Sequence, residues 1–229
     1  MNISEVLKKK VESNQTVLTE FESKELLKEI GIKIPAQSLT SSKEETLAAA
    51  EKIGFPVVLK LMAEDVVHKS DTGAVKLNLK SKEDVEEAYE TLMKIPSESD
   101  KKISVQSMAD DPITELIIGM TTDPQFGPAL MFGIGGILVE LLEDVSFRIA
   151  PITEYDANEM IKEIKGFPIL DGYRGKPKAD LDAIVNTLMK ISELVVEHEE
   201  INEMDLNPVF IYEKDLICVD ARIILKPKI

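Results

Sequence analysis

Tryptophan is absent from this sequence, cysteine occurs once, histidine twice, and aromatic residues fill only 5% of the 229 positions. The lone thiol, Cys218, can neither close an internal disulfide nor build a thiolate metal cage, so the chain suits a reducing compartment, the cytoplasm. A basic surplus is also missing. Lys and Arg number 27 against 42 Asp and Glu, and the resulting net charge of −15 repels a phosphate backbone, which argues against a nucleic-acid partner. A nucleotide can still sit in a local basic pocket. Long apolar runs are lacking as well: the longest charge-free stretch, residues 124–139, holds prolines and glycines and falls short of the ~20 apolar residues of a membrane span. Lys8, Lys9 and Lys10 precede no apolar core, so a secretory signal and membrane attachment are not expected.

What is present is the composition of a globular chain, 44% apolar and 30% charged. Phe21, Leu26, Leu27 and Ile30 share one helical face, and GIKIP at 31–35 ends that helix. A strand over 36–39 is expected, then a helix opened by a Ser42/Glu45 capping box and closed at Gly54. VVLKL at 57–61 reads as a buried strand, 75–80 as a half-buried one, Ser81 with Asp84 as the cap of a helix through Lys94, and 103–108 as a further strand. From Thr114 onward, strands at 115–120, 128–132 and 146–149 surround a glycine-rich segment. Helices at 154–164 and 179–197 follow, then a terminal hairpin of 209–212 with 216–220. The pattern predicts an α+β fold in two lobes, 1–108 including the leading helices and 109–229, parted where Asp110, Asp111 and Pro112 break the periodicity.

Four places carry residues suited to chemistry. Lys60 closes an apolar strand; its ammonium can meet a phosphate, or it is simply a lysine reaching out of a strand. The loop His68-Lys69-Ser70-Asp71-Thr72-Gly73 concentrates an imidazole, a cation, hydroxyls and a flexible backbone. It can close over phosphates, and His68, oriented by a carboxylate such as Asp71, can accept a phosphoryl group; a plain solvated loop is the alternative. Gly133, Gly135 and Gly136 allow close backbone approach, and Arg148 beyond them can clamp phosphate oxygens, unless these are only tight turns in an apolar sheet. No helix-opening GxGxxG follows a strand, so a dinucleotide site is not indicated. Last, Glu203, Asp205 and Asn207 alternate and so share one face of a strand, with Asp220 on the neighbouring hairpin strand. Hard oxygen donors converging in this way suit Mg2+, and a solvated acidic face is the competing reading.

In order along the chain, LTEFESKELLKEIGIKIP from Leu18, PVVLK ending at Lys60, HKSDTGAVKLNL from His68, VQSMAD from Val105, ELIIGMTTDPQFGPALMFGIGGILVELLEDVSFRIAPI from Glu115 and NEMDLNPVFI from Asn202 resemble one family. It is the β subunits of ADP-forming acetyl-CoA synthetases, with the ATP-grasp fold, two lobes and the nucleotide between them. The resemblance covers nearly the whole chain. It implies ATP or ADP as substrate and Mg2+ held by Asn207 and Asp220. Lys60, Gly73 and Arg148 would serve the nucleotide phosphates, Gln106 and the Met108 backbone the adenine, and Glu115 the ribose. By the same analogy Asp205 would face an incoming phosphohistidine loop, and His68 would carry the phosphoryl group. A CoA-binding α subunit would complete an α2β2 assembly in the cytoplasm, since no CoA-binding fingerprint is present here. A stand-alone ATP-grasp carboxylate ligase and a non-catalytic nucleotide-binding regulatory subunit are the alternatives.

Overall fold

The computed structural model describes residues 3–63, 73–136 and 143–228; His68 and its neighbours from 64 to 72 lie outside the described residues. The chain divides into two compact units, Pro35–Asp110 and Met1–Ile34 together with Asp111–Ile229. Two helices, α1 (Ile3–Glu12) and α2 (Glu20–Glu29), lead the chain. The smaller unit then runs β1 (Gln37–Thr40), α3 (Lys43–Ile53), β2 (Val57–Met62), β3 (Val75–Leu79), α4 (Lys82–Met93) and β4 (Lys102–Ser107). Its sheet is antiparallel in the order β1-β4-β2-β3.

Local chemistry accounts for these elements. The Ser81 hydroxyl accepts the Asp84 N–H while the Asp84 carboxylate accepts the Ser81 N–H, a complete capping box that starts α4. At α3 the box is only half formed: Ser42 accepts from the Glu45 N–H, but the Glu45 carboxylate takes the N–H of Ser41 instead. Leu59, Leu61, Ile103 and Val105 form one apolar cluster with Ala50 of α3 and Val85 and Leu92 of α4. Side chains alternate across a strand, so Val58, Lys60, Ser104 and Gln106 turn to the sheet face without those helices.

The larger unit continues with β5 (Thr114–Asp123), β6 (Gly127–Ile134), β7 (Val145–Ile149), α5 (Glu154–Glu163), α6 (Phe167–Leu170), a 3-10 turn at Tyr173–Gly175, α7 (Leu181–Glu197), β8 (Ile201–Ile211), β9 (Leu216–Cys218) and β10 (Ala221–Leu225). Its antiparallel sheet has the order β10-β8-β5-β6-β7, with β9 also beside β8. Leu116, Ile118, Met120, Leu130, Phe132, Met204 and Leu206 join residues of α5 and α7 in a single core. Among the described residues no helix is long and apolar enough to cross a membrane.

The leading helices differ from the expected division at 108/109. Leu7, Leu18, Leu26, Leu27 and Ile32 belong to the core of the larger unit, and α2 packs on β10. Backbone bonds from Leu18 N–H to the Ile223 carbonyl and from Leu225 N–H to the Thr16 carbonyl extend that sheet by the segment preceding α2. Helical propensity is local, but the unit a helix joins depends on a partner strand two hundred residues away. The terminal hairpin also has a further strand: β10 follows it and pairs with the first half of β8.

Candidate functional site

The outer edge of β8 is shared. β10 pairs with Ile201 to Leu206, whereas β9 pairs with Val209 to Ile211. Asn207 and Pro208 fall at the hand-over, where the β5–β8 register shifts and β8 carries an extra residue. Proline has no N–H to give a ladder, which makes this a natural place for a bulge. The chain passes from β9 to β10 through Val219 and Asp220, directly beside the bulge. There the Asn207 N–H donates to the Asp220 carbonyl at 3.2 Å, and the Val219 N–H donates to the Pro208 carbonyl at 3.0 Å.

Glu203, Asp205 and Asn207 are exposed while Met204 and Leu206 are buried, so the expected common face is present. Asp205 lies opposite Arg222 of β10 on one side and Gly119 of β5 on the other. Although Asp205 reaches solvent, the desolvation imposed by the groups packed around its carboxyl, and after it the negative charge of Asp220, hold that carboxyl above the ordinary carboxylate range; Arg222 opposes the rise. A carboxylate whose proton affinity is raised by a neighbouring negative charge is relieved by a cation. The donor set of Asp205, Asn207 and Asp220 consists of hard oxygens, which fits Mg2+ with water and phosphate oxygens as its further ligands. Among the described residues no group of three or more His, Cys, Asp or Glu side chains is placed to hold a metal ion.

In the smaller unit, Lys60 of β2 pairs with Ser104 of β4, and Val58 pairs with Gln106. Lys60 is 5% exposed, Gln106 1% and Ser104 0%, and the Gln106 Nε2 donates to the Ser104 Oγ at 3.0 Å. A polar row of a cation, a hydroxyl and a carboxamide is therefore buried on the sheet face turned away from α3 and α4. Ser104 is absent from the motif-based residue set. Its signal was available in the spacing, since it stands two residues before Gln106 on the same strand face. Met108 follows β4 and donates its backbone N–H to the Pro56 carbonyl at 3.1 Å. Gly73, which opens the described chain before β3, has φ +69° and nothing within 4 Å of a Cβ position, so its backbone surface is open.

Two expected residues stand apart. The ladder Met204–Met120–Leu130–Arg148 puts Arg148 on the helix-covered face of the large sheet, opposite to Asp205. Its guanidinium donates to Glu163 of α5 and to the Phe147 carbonyl, both at 2.8 Å. The Arg148 guanidinium thus makes an ion pair that ties β7 to α5. Glu115 is exposed at the start of β5, with its carbonyl accepting the Gly135 N–H at 2.8 Å. A Cβ at Gly135 would come within 3.3 Å of the Glu115 Cβ, so glycine there lets the β6 end close on Glu115.

The ATP-grasp domain family model matches residues 9–225 of this chain. Over 228 residues the chain is 46% identical to the acetate–CoA ligase (ADP-forming) II subunit beta of Pyrococcus furiosus, an alignment covering 96% of this chain and 97% of that one. It is also 46% identical over 209 residues to the acetate–CoA ligase (ADP-forming) II of Archaeoglobus fulgidus, covering 91% of this chain but 30% of that longer one. Among solved structures, the dinucleotide forming acetyl-coenzyme A synthetase 1 of Ca. Korarchaeum cryptofilum superposes with a TM-score of 0.87 at 46% identity, covering 97% of this chain and 99% of that chain. That structure holds coenzyme A and Mg-AMPPCP, with its phosphohistidine segment pointing towards the nucleotide binding site. The chain therefore belongs to the ATP-grasp family, within the β subunits of ADP-forming acetate–CoA ligases.

Proposed function

We propose that this chain is the nucleotide-binding subunit of an ADP-forming acyl-CoA synthetase, interconverting acyl-CoA, ADP and phosphate with the free acid, CoA and ATP through phosphohistidine. The observation that carries the site is the junction of β8, β9 and β10: it sets Asn207 against Asp220, beside an Asp205 carboxyl that already feels the Asp220 charge. Asn207 and Asp220 hold Mg2+, which when bound neutralises phosphate oxygens. Lys60 contacts the phosphates and the open backbone at Gly73 approaches them. Gln106 and the Met108 backbone meet the adenine, and Glu115 the ribose. Arg148 is left out, because it is paired with Glu163 on the other sheet face.

His68 carries the phosphoryl group. In the ATP-forming direction the N–P bond of phosphohistidine breaks as an oxygen of the ADP β-phosphate forms the new O–P bond, and the ring nitrogen regains its electron pair. Asp205 orients an incoming imidazole by accepting its free N–H, which leaves the other nitrogen aimed at the phosphorus. A β subunit implies a partner. The partner is a CoA-binding α subunit in an α2β2 assembly, and the Archaeoglobus relative, in which the matching segment is one part of a longer ligase, supports covalent as well as separate arrangements of the two functions.

The direct test is His68→Ala in the chain assembled with its α subunit. Acid-labile, base-stable phosphate is expected on the wild-type β chain after exposure to Mg-ATP and is expected to be missing from the variant. Turnover should drop by orders of magnitude while ADP affinity is kept. Near-normal turnover by the variant would remove the carrier role and leave a nucleotide-binding regulatory subunit.

A further inference from the structure

Helix α2 contains a buried ion pair that neither the core nor the proposed nucleotide contacts require. The Lys24 Nζ lies 3.1 Å from the Glu20 Oε1, and the two side chains are 0% and 2% exposed. Burying two charges costs several kcal/mol per ion before their attraction is counted, so such a pair is a poor source of stability. Apolar residues of similar volume would fill the same space. The lysine, however, reaches a third group: its Nζ donates to the Val219 carbonyl at 3.1 Å. Val219 is the residue immediately before Asp220, in the turn between β9 and β10.

That turn is held from both sides. On the β8 side the Val219 N–H is bound to Pro208 and the Asp220 carbonyl receives the Asn207 N–H. On the opposite side the Cys218 N–H donates to the Lys33 carbonyl at 2.9 Å, just past the end of α2, and the Lys24 ammonium takes the Val219 carbonyl. Without Lys24, the Val219 carbonyl loses the ammonium that ties it to α2, and the backbone leading into Asp220 loses one of its restraints. Glu20 gives the ammonium a second acceptor, its Oε1 3.1 Å from the Nζ, and a carboxamide in its place can accept as well.

We infer that Lys24, with Glu20 as its second acceptor, is a positioning residue for Mg2+ binding: through the Val219 carbonyl it sets the backbone from which Asp220 presents its carboxylate. This rests on the reading of Asn207 and Asp220 as the metal ligands. Groups that orient a ligand commonly change metal affinity by about 10–100-fold when removed. The consequence is a tolerance of α2 to apolar substitution in the fold, but not in the metal site.

The test uses the full chain and titration calorimetry with ADP, once with Mg2+ and once with chelator. In the double variant Glu20→Gln, Lys24→Met the metal-free ADP affinity and the thermal midpoint should stay close to wild type, while the Mg2+ concentration that half-saturates the enhancement of ADP binding rises about tenfold. Glu20→Gln alone, which keeps the lysine and its bond to Val219, should stay near wild type in Mg2+ requirement. Asp220→Asn serves as reference. If Asp220→Asn leaves Mg2+ dependence unchanged, the ligand reading fails; if it weakens Mg2+ and the double variant does not, only the positioning role of Lys24 fails. Should the double variant not fold, hydrogen exchange on the wild type decides. Mg-ADP, and not metal-free ADP, should slow exchange of the α2 amides at 23–28, and equal exchange in both states overturns the coupling.

Discussion

At Lys60 the cost of burial and the gain from a ligand have opposite signs. A lysine 5% exposed in β2 loses most of its hydration, and a protein that needed only a strand there would be served by an apolar residue. Lys60→Met keeps the stem and removes the charge. Mg-ADP affinity measured by calorimetry should fall roughly 10- to 100-fold, the worth of a charged hydrogen bond at about 1.5–3 kcal/mol. Unchanged affinity would make Lys60 an ordinary strand lysine. Asp205→Asn makes the complementary case: it removes one of two mutually repelling carboxylates, so stability without metal should not decrease, while phosphoryl transfer from His68 to ADP, followed as loss of labelled phosphate from the chain, should slow. The alternation of Glu203, Asp205 and Asn207 was readable because a strand has a period of two. Arg148 misled for the same reason turned around: its face depends on the register of β7 with β6, which no local pattern specifies.

Helix starts are the elements most legible in this chain, and they differ in how far their chemistry carries. The hydrogen bond from the Lys80 N–H, aided by the Ser81 hydroxyl and N–H, holds the Asp84 carboxyl below the ordinary aspartate range at the start of α4. At α5 the Thr153 hydroxyl and N–H do the same for Asp156. A carboxyl whose pKa is lower in the folded than in the unfolded chain contributes stability that is fully present above its ordinary value and is lost as pH falls through the folded value. Asp84→Ala and Asp156→Ala should therefore melt below wild type near neutral pH, with the difference shrinking below about pH 4 and absent in stronger acid. Melts across that range, followed by circular dichroism, check the sign; a difference that persists in strong acid would show that shape, not charge, matters at these caps. Ser81/Asp84 could be read from the sequence because both partners of the box lie within four residues. Helix α1 could not, since Lys8, Lys9 and Lys10 dilute its apolar face and Leu7 is its only buried residue. Glu20 and Lys24 were equally hidden: charged residues four apart read as an exposed helical pair, and their burial depends on long-range packing of α2, including the bond to the Val219 carbonyl, that no local pattern specifies.

For the molecule as a whole, a net charge of −15 works against any anionic ligand, and the polar groups that counter it are few and local. ADP should therefore bind chiefly as its magnesium complex, for which Asn207 and Asp220 would supply ligands and the metal would offset the negative charge. A ligand bound by the native state alone stabilises it by about 2.7 kcal/mol at one hundred times its Kd, a rise of roughly 5–10 °C for a chain of this size. Mg-ADP should raise the melting temperature by that order, and ADP with chelator by much less. On the reading of this chain as a nucleotide half-site, nucleotide binding should be separable from acyl transfer. Purified alone, the chain should bind Mg-ADP and show no acid-dependent CoA thioester synthesis; mixed with a CoA-binding α subunit it should gain that synthesis in proportion to complex formed, measured by thioester absorbance against ATP consumed. Full turnover by the chain alone would instead mean that it activates a carboxylate by itself, as a stand-alone ligase, and that its acceptor site lies on residues other than those proposed. Binding without the partner and turnover only with it is the combination that a nucleotide half-site requires, because the groups that take up CoA and acid then come with the second subunit.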